Sequence, residues 1–133
     1  MRAECTFEVL SFEPTEYESP IATGVAIGFA YMDKVFHGEL SGRSRTQFTS
    51  AFDATTQTGT YLAMESFEGA VNGRSGSFNF AHMASTDGTE RSDFQLVIVP
   101  SSGTGELIGI SGRGDLLIDQ DGTHRIALDY ELA

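Results

Sequence analysis

The segment FEGAVNGRSGSF, residues 67–78, constrains the fold more than any other. At its centre Asn72-Gly73 is the strongest two-residue hairpin signal, because a type I′ turn needs φ > 0 at both central positions. Counting outward from that turn sets Phe67 opposite Phe78, Glu65 opposite Phe80 and Ala63 opposite His82. Two further turns extend the count. A three-residue loop Thr86-Asp87-Gly88, with Gly at the left-handed position, predicts His82 opposite Ser92 and Phe80 opposite Phe94. The same loop type at Gln120-Asp121-Gly122 predicts Ile118 opposite His124 and Leu116 opposite Ile126. All three registers gather the large apolar residues on one face, which a one-residue slip would scramble.

The chain ends alternate in the same way. Cys5, Phe7 and Val9 stand against Glu4, Thr6 and Glu8, and Ile126, Leu128, Tyr130 and Leu132 against Arg125, Asp129 and Glu131. Both runs read as half-buried strands. No segment carries a helical apolar stripe over three turns. Strands are expected near 3–13, 21–33, 35–41, 43–53, 58–70, 74–84, 90–99, 112–119 and 123–132, two of them read as one strand bent at Gly38. A meander of about eight strands exposes two edges unless it closes. The expected fold is therefore all-β, a closed antiparallel up-and-down β-barrel in a single domain spanning residues 1–133.

Charge narrows the partners. Nineteen acidic residues against eight basic ones give a net charge of -11, which argues against nucleic acid and against anionic membrane surfaces. The single Cys5 leaves no intramolecular disulfide and no CxxC metal site. MRAECTFEVL lacks the apolar core of a signal peptide, and no apolar run approaches membrane-spanning length, so a cytoplasmic location is expected. The expected partner is a hydrophobic small molecule.

The glycine-rich stretch VIVPSSGTGELIGISGRGD, residues 97–115, invites comparison with phosphate-binding loops, and fails it. A Walker loop needs GxxxxGK[ST], and no Lys follows here. A dinucleotide fingerprint needs GxGxxG between a strand and a helix, whereas Gly103, Gly105 and Gly109 have other spacing and follow Pro100 in an all-β chain. These glycines instead suit turns with φ > 0 and a segment crossing tightly over one barrel mouth. GRSGS and GRSRT likewise fail the GxSxG nucleophile elbow, and RGD at Arg113–Asp115 lies in a strand.

The blocks MESFEGAVNGRSGSFNFAH, VPSSGTGELIGISGRG and DGTHRIALDYELA resemble the bacterial domain-of-unknown-function family numbered 3224, over essentially the whole chain. The motif positions are Arg74, Ser75, Gly76, Ser77 and Phe78, then Gly103, Thr104, Gly105, Glu106 and Gly109, all read as structural. The resemblance implies the allene oxide cyclase-like, or dirigent-like, barrel. Barrels of that kind bind apolar ligands and in several cases steer cyclisation without a cofactor. Similar barrels often pair, so a homodimer is an expectation carried by the same likeness.

Several polar groups fall on the face expected to point inward. Glu65 is the diagonal neighbour of His82, within reach of a long side chain, and Tyr61 shares their face. A carboxylate beside an imidazole in an apolar lumen has a shifted pKa and suits general acid or base work, so Glu65, His82 and Tyr61 are the catalytic candidates. The plainer reading of the same residues is a hydrogen-bonded pair that fixes the core. Tyr31, Phe48, Phe67, Phe80, Phe94, His124 and Tyr130 are the candidate ligand-binding residues, though core packing alone accounts for most phenylalanines in a barrel this narrow. His37, His82 and His124 show no HxH or HExxH spacing, and neither a metal nor a cofactor is expected. The function these features suggest is a small-molecule-handling barrel with an apolar lumen, acting as a cofactor-independent isomerase or cyclase on a hydrophobic metabolite. The alternative is a non-catalytic carrier or sensor.

Overall fold

The structure, a computed structural model, describes residues 1–133. Eight strands succeed one another around a closed antiparallel barrel: β1 (Arg2–Thr15), β2 (Ile27–Gly38), β3 (Leu40–Asp53), β4 (Thr58–Val71), β5 (Arg74–Thr86), β6 (Arg91–Ile98), β7 (Ser111–Ile118) and β8 (His124–Glu131). β8 closes on β1 with Ala3 opposite Leu128 and Cys5 opposite Ile126, which leaves no free sheet edge.

The Asn72-Gly73 turn does what its sequence demands. Asn72 and Gly73 take φ of 48° and 82°, and the pairs Phe67–Phe78, Glu65–Phe80 and Ala63–His82 form. The pairs Ile118–His124 and Leu116–Ile126 form as well. The β5–β6 hairpin differs from expectation. Asp87 Oδ1 accepts from the amides of Thr89 and Glu90, holding a longer turn, and the register shifts between Met83 and Ser85. His82 therefore faces Leu96 rather than Ser92, and Phe80 faces Ile98 rather than Phe94. The slip is by an even number of residues, so the apolar side chains of β6 keep their face. The expected strand 35–41 does not exist separately: β2 runs to Gly38, Glu39 bends, and β3 starts at Leu40. The segment 16–26 is irregular, so β2 begins at Ile27 rather than near residue 21.

The barrel has unlike ends. One holds the Asn72-Gly73 turn, the Glu39 bend and the glycine-rich crossing between β6 and β7. Phe36, Leu40, Phe67, Val71, Phe78, Phe80 and Ile98 pack that half solid. The crossing plugs it. Its short 3-10 turn Gly105–Leu107 brings Leu107 and Ile110 into the core, each essentially without solvent exposure, and such burial is worth roughly 1.5–3 kcal/mol per side chain. Thr104 grips β5 from above: its amide donates to the Ser77 carbonyl at 2.9 Å and the Ser77 amide to Thr104 Oγ1 at 3.0 Å. A Cβ on Gly103 would collide with the Leu107 carbonyl, so backbone contact, not phosphate, explains glycine there. The opposite end, here the mouth, carries the segment 16–26 and the three β-turn connections after β3, β5 and β7.

Candidate functional site

Alternation along the strands sets what reaches the lumen above the packed half. β2 turns Ala30, Met32 and Lys34 inward, β3 Ser44, Thr46 and Phe48, β4 Glu65, Ala63 and Tyr61, and β5 His82 and Ala84. Instead of an apolar tube, the floor of this half holds a chain of polar groups. Glu65 is fully buried. Its Oε1 accepts from Ser44 Oγ at 2.7 Å; its Oε2 accepts from Lys34 Nζ at 2.8 Å and meets His82 Nε2 at 2.5 Å. The other imidazole nitrogen, Nδ1, lies 2.9 Å from the Tyr61 hydroxyl. Above, the Phe48 ring stacks on Tyr61 at 5.3 Å and meets the exposed Phe12 edge-on at 6.0 Å.

The electrostatics follow from this crowding. Burial pushes the Glu65 carboxyl up, but the hydrogen bond from His82 and the charge and hydrogen bond of Lys34 outweigh it and hold the group down to about 2. Glu65 is therefore a carboxylate at neutral pH. It only accepts, so in the neutral imidazole Nε2 carries the proton and Nδ1 accepts from the Tyr61 hydroxyl. Burial is also the main reason the Tyr61 phenol is pushed up to about 12, so it stays protonated. Lys34 makes its one hydrogen bond to Glu65 and sits 5.2 Å from the centroid of the Phe7 ring. Thr46 Oγ1, on the residue opposite Glu65, is buried without any hydrogen-bond partner.

The three catalytic candidates thus meet, and the ligand-binding candidates scatter. Phe48 roofs the chain, Phe94 lies 6.4 Å from the His82 ring, and His124 meets Phe7 edge-on at 6.0 Å inside the mouth half. Phe67 and Phe80 belong to the packed core. Tyr130 does too: it sits at the plugged end, its hydroxyl accepting from Asn72 Nδ2 at 2.7 Å. Tyr31 is on the outer wall, beneath the Arg45 guanidinium at 5.0 Å and beside Phe29. The reason is that β2 is apolar on both faces, and pairing Phe36 with Phe7 selects Ala30, Met32, Lys34 and Phe36 as the inner set. That same choice brings in Lys34, which sequence reasoning missed along with Ser44 and Thr46. Its signal was a lone Lys two residues from a core Phe on a strand with an ambiguous face. His37 is exposed on the outer face, so the three histidines do not converge.

An open groove of about 1480 Å³ lies along the barrel wall. Leu62, Met64, Met83 and Val97 line it. Where β6 and β7 pair only through Leu96–Gly114 and Val97–Arg113, its lining includes Phe94 and His82. No helix is long and apolar enough to cross a membrane.

The comparisons bear on the fold and family. A family model described as a protein of unknown function, DUF3224, matches residues 3–130. A crystal structure of a protein with unknown function from that family, from Shewanella oneidensis MR-1, superposes with a TM-score of 0.87 at 32% identity, over 100% of this chain and 97% of the other. No curated protein matches the chain.

Proposed function

Since the chain belongs to the DUF3224 family of proteins of unknown function, its chemistry has to be argued from the lumen, and we propose that it is a small-molecule-handling barrel that moves a proton on an apolar, carbonyl-bearing ligand without a cofactor. The observation that carries this reading is the continuous chain Tyr61–His82–Glu65, running from beneath the mouth to a buried carboxylate. A phenol pushed up to about 12 reacts only if it passes its own proton inward as it takes one from the ligand. His82 Nδ1 receives that proton, the imidazolium is stabilised by the Glu65 carboxylate, and the return of the proton to another atom of the ligand completes an isomerisation. Tyr61 is the group that touches the ligand; His82 and Glu65 act through it. The resemblance to allene oxide cyclase-like barrels, which steer cyclisation by enclosure, agrees with this role.

The exposed apolar rim of Phe12, Ile27, Phe52 and Ile118 favours a second reading, a carrier that binds the same ligand without reaction. The two separate in D2O with 4-phenylbut-3-en-2-one, an apolar methyl ketone. The enzyme reading expects catalysed exchange of its methyl protons, followed by NMR, and a drop of at least about 100-fold in Tyr61→Phe. Binding with exchange at the buffer rate, or exchange that survives Tyr61→Phe, overturns the enzyme reading.

A further inference from the structure

We propose that Thr46 and Lys34 form an oxygen-binding subsite on the lumen floor, built for the neutral carbonyl oxygen of the ligand. The inference rests on the reading that the mouth half of the lumen takes a ligand, and it names which end of that ligand enters first.

Thr46 Oγ1 is the one buried side-chain polar atom in the protein without a partner. A buried hydroxyl left unpaired costs free energy, and Val would fill the same volume on a strand with no such cost. A hydroxyl kept there is explained by a partner that arrives from outside the chain. Lys34 offers a second unused donor. Its ammonium carries three N–H groups, of which one reaches Glu65 while the Phe7 ring covers another side. The two residues are neighbours: Lys34 pairs with Ser44, Thr46 is the next inward residue on β3, and Thr46 pairs in turn with Glu65.

Charge decides what kind of oxygen fits. The Lys34 cation is already balanced by the ionised Glu65 at 2.8 Å, so the floor has no free positive charge to offer a carboxylate. A ligand anion there would stand beside Glu65 and be repelled. It would also have to pass a mouth whose connections carry Glu16, Glu18, Asp87, Glu90, Asp119 and Asp121. A neutral acceptor suffers neither penalty. Ketones, enones and lactones are therefore the matching class. Phe48 follows Thr46 as the next inward residue of β3 and stacks on Tyr61, so a carbonyl seated below it leaves the adjacent carbon toward the Tyr61–His82 end of the chain.

The test uses 4-phenylbut-3-en-2-one and its carboxylate counterpart, trans-cinnamate, with the whole protein. Hydrogen bonds to an enone oxygen move its ultraviolet band to longer wavelength, which reports on the oxygen independently of any turnover. Wild type should bind the enone saturably with such a shift and bind cinnamate at least about tenfold more weakly. Thr46→Val should melt no lower than wild type, lose most of the shift and bind the enone about tenfold more weakly, while Thr46→Ser restores both. No saturable enone binding, an equal affinity for cinnamate, or a Thr46→Val variant with unchanged affinity and band position overturns the subsite. Methyl-proton exchange is scored separately. A Thr46-dependent shift without exchange sinks the enzyme reading and leaves the subsite standing, and exchange that ignores Thr46→Val does the reverse.

Discussion

Replacing Glu65 by Gln removes the charge that Lys34 faces and leaves the ammonium in a site that is about 6% exposed. At 2.8 Å and an effective dielectric constant of about 20, the pair attracts by about 6 kcal/mol. Desolvating each ion takes back several kcal/mol, so the intact pair is close to neutral for stability. Taking one partner away is different, because the other stays desolvated and uncompensated. Glu65→Gln should therefore cost about 3 kcal/mol, or roughly 10–15 °C in Tm for a domain of this size. Lys34→Met should cost less, since His82 and Ser44 still bond the carboxylate. The double variant removes both charges together and should lose no more than about 1–2 kcal/mol, well under the sum of the single losses. Urea unfolding followed by circular dichroism measures all four proteins. If the double variant loses the full sum, the two charges are energetically independent and the account of a coupled buried pair is wrong.

Acid should erode the same network from the proton side. The folded Glu65 carboxyl titrates at about 2 against an ordinary 4.5, so its contribution is complete above about pH 4.5 and is lost as the pH falls toward 2. The loss is on the order of 3 kcal/mol, and the gap between wild type and Glu65→Gln should narrow across that window in urea titrations; a constant gap refutes the shift. At the plugged end, Gly103→Ala drives a methyl into the Leu107 carbonyl and should destabilise by about 2 kcal/mol or more. Gly28→Ala, where an added Cβ meets nothing, should be neutral or stabilising by about 0.5–1 kcal/mol, and thermal melts of the two variants test the contrast.

Much of the fold was legible because turn chemistry and period-two alternation both act locally. Asn72-Gly73 admits one turn type, and its register carried correctly to Ala63–His82. The Thr86–Gly88 turn was misjudged because Asp87 can hold either a three-residue loop or the longer turn that its side chain caps here, and spacing alone does not choose between them. The candidate site was legible where strands are joined by a turn, as Glu65, Tyr61 and His82 are on β4 and β5. It was illegible on β2. There Phe29, Tyr31 and Val35 make one face as apolar as Ala30, Met32 and Phe36 make the other, so a local rule cannot orient the strand. Only its pairing with β1 does, and β1 itself changes register between Val9 and Ser11. Lys34, Ser44 and Thr46 were hidden by that ambiguity rather than by any oddity of their own.

The division of the lumen explains how so small a barrel tolerates a buried ion pair at all. A barrel of eight strands is filled by side chains or holds one small ligand, and here apolar side chains fill the half beneath the crossing while the other half carries the Lys34–Glu65–His82 chain. The glycine-rich crossing lets Leu107 and Ile110 plug one end, where they join a core cluster with Phe36, Phe67, Phe78 and Phe80. The mouth half then carries a buried ion pair that is close to neutral for stability when intact and costly only when one partner is removed. A core built for stability alone would replace Lys34, Glu65, Thr46 and His82 by apolar groups of similar volume, commonly at no loss. Four such groups on four neighbouring strands, three of them bonded into a chain and one hydroxyl without a partner, are the observations on which the proposed oxygen subsite rests. The glycines that invite comparison with a phosphate loop act at the opposite end, where they let the crossing approach the barrel closely enough to bury Leu107 and Ile110.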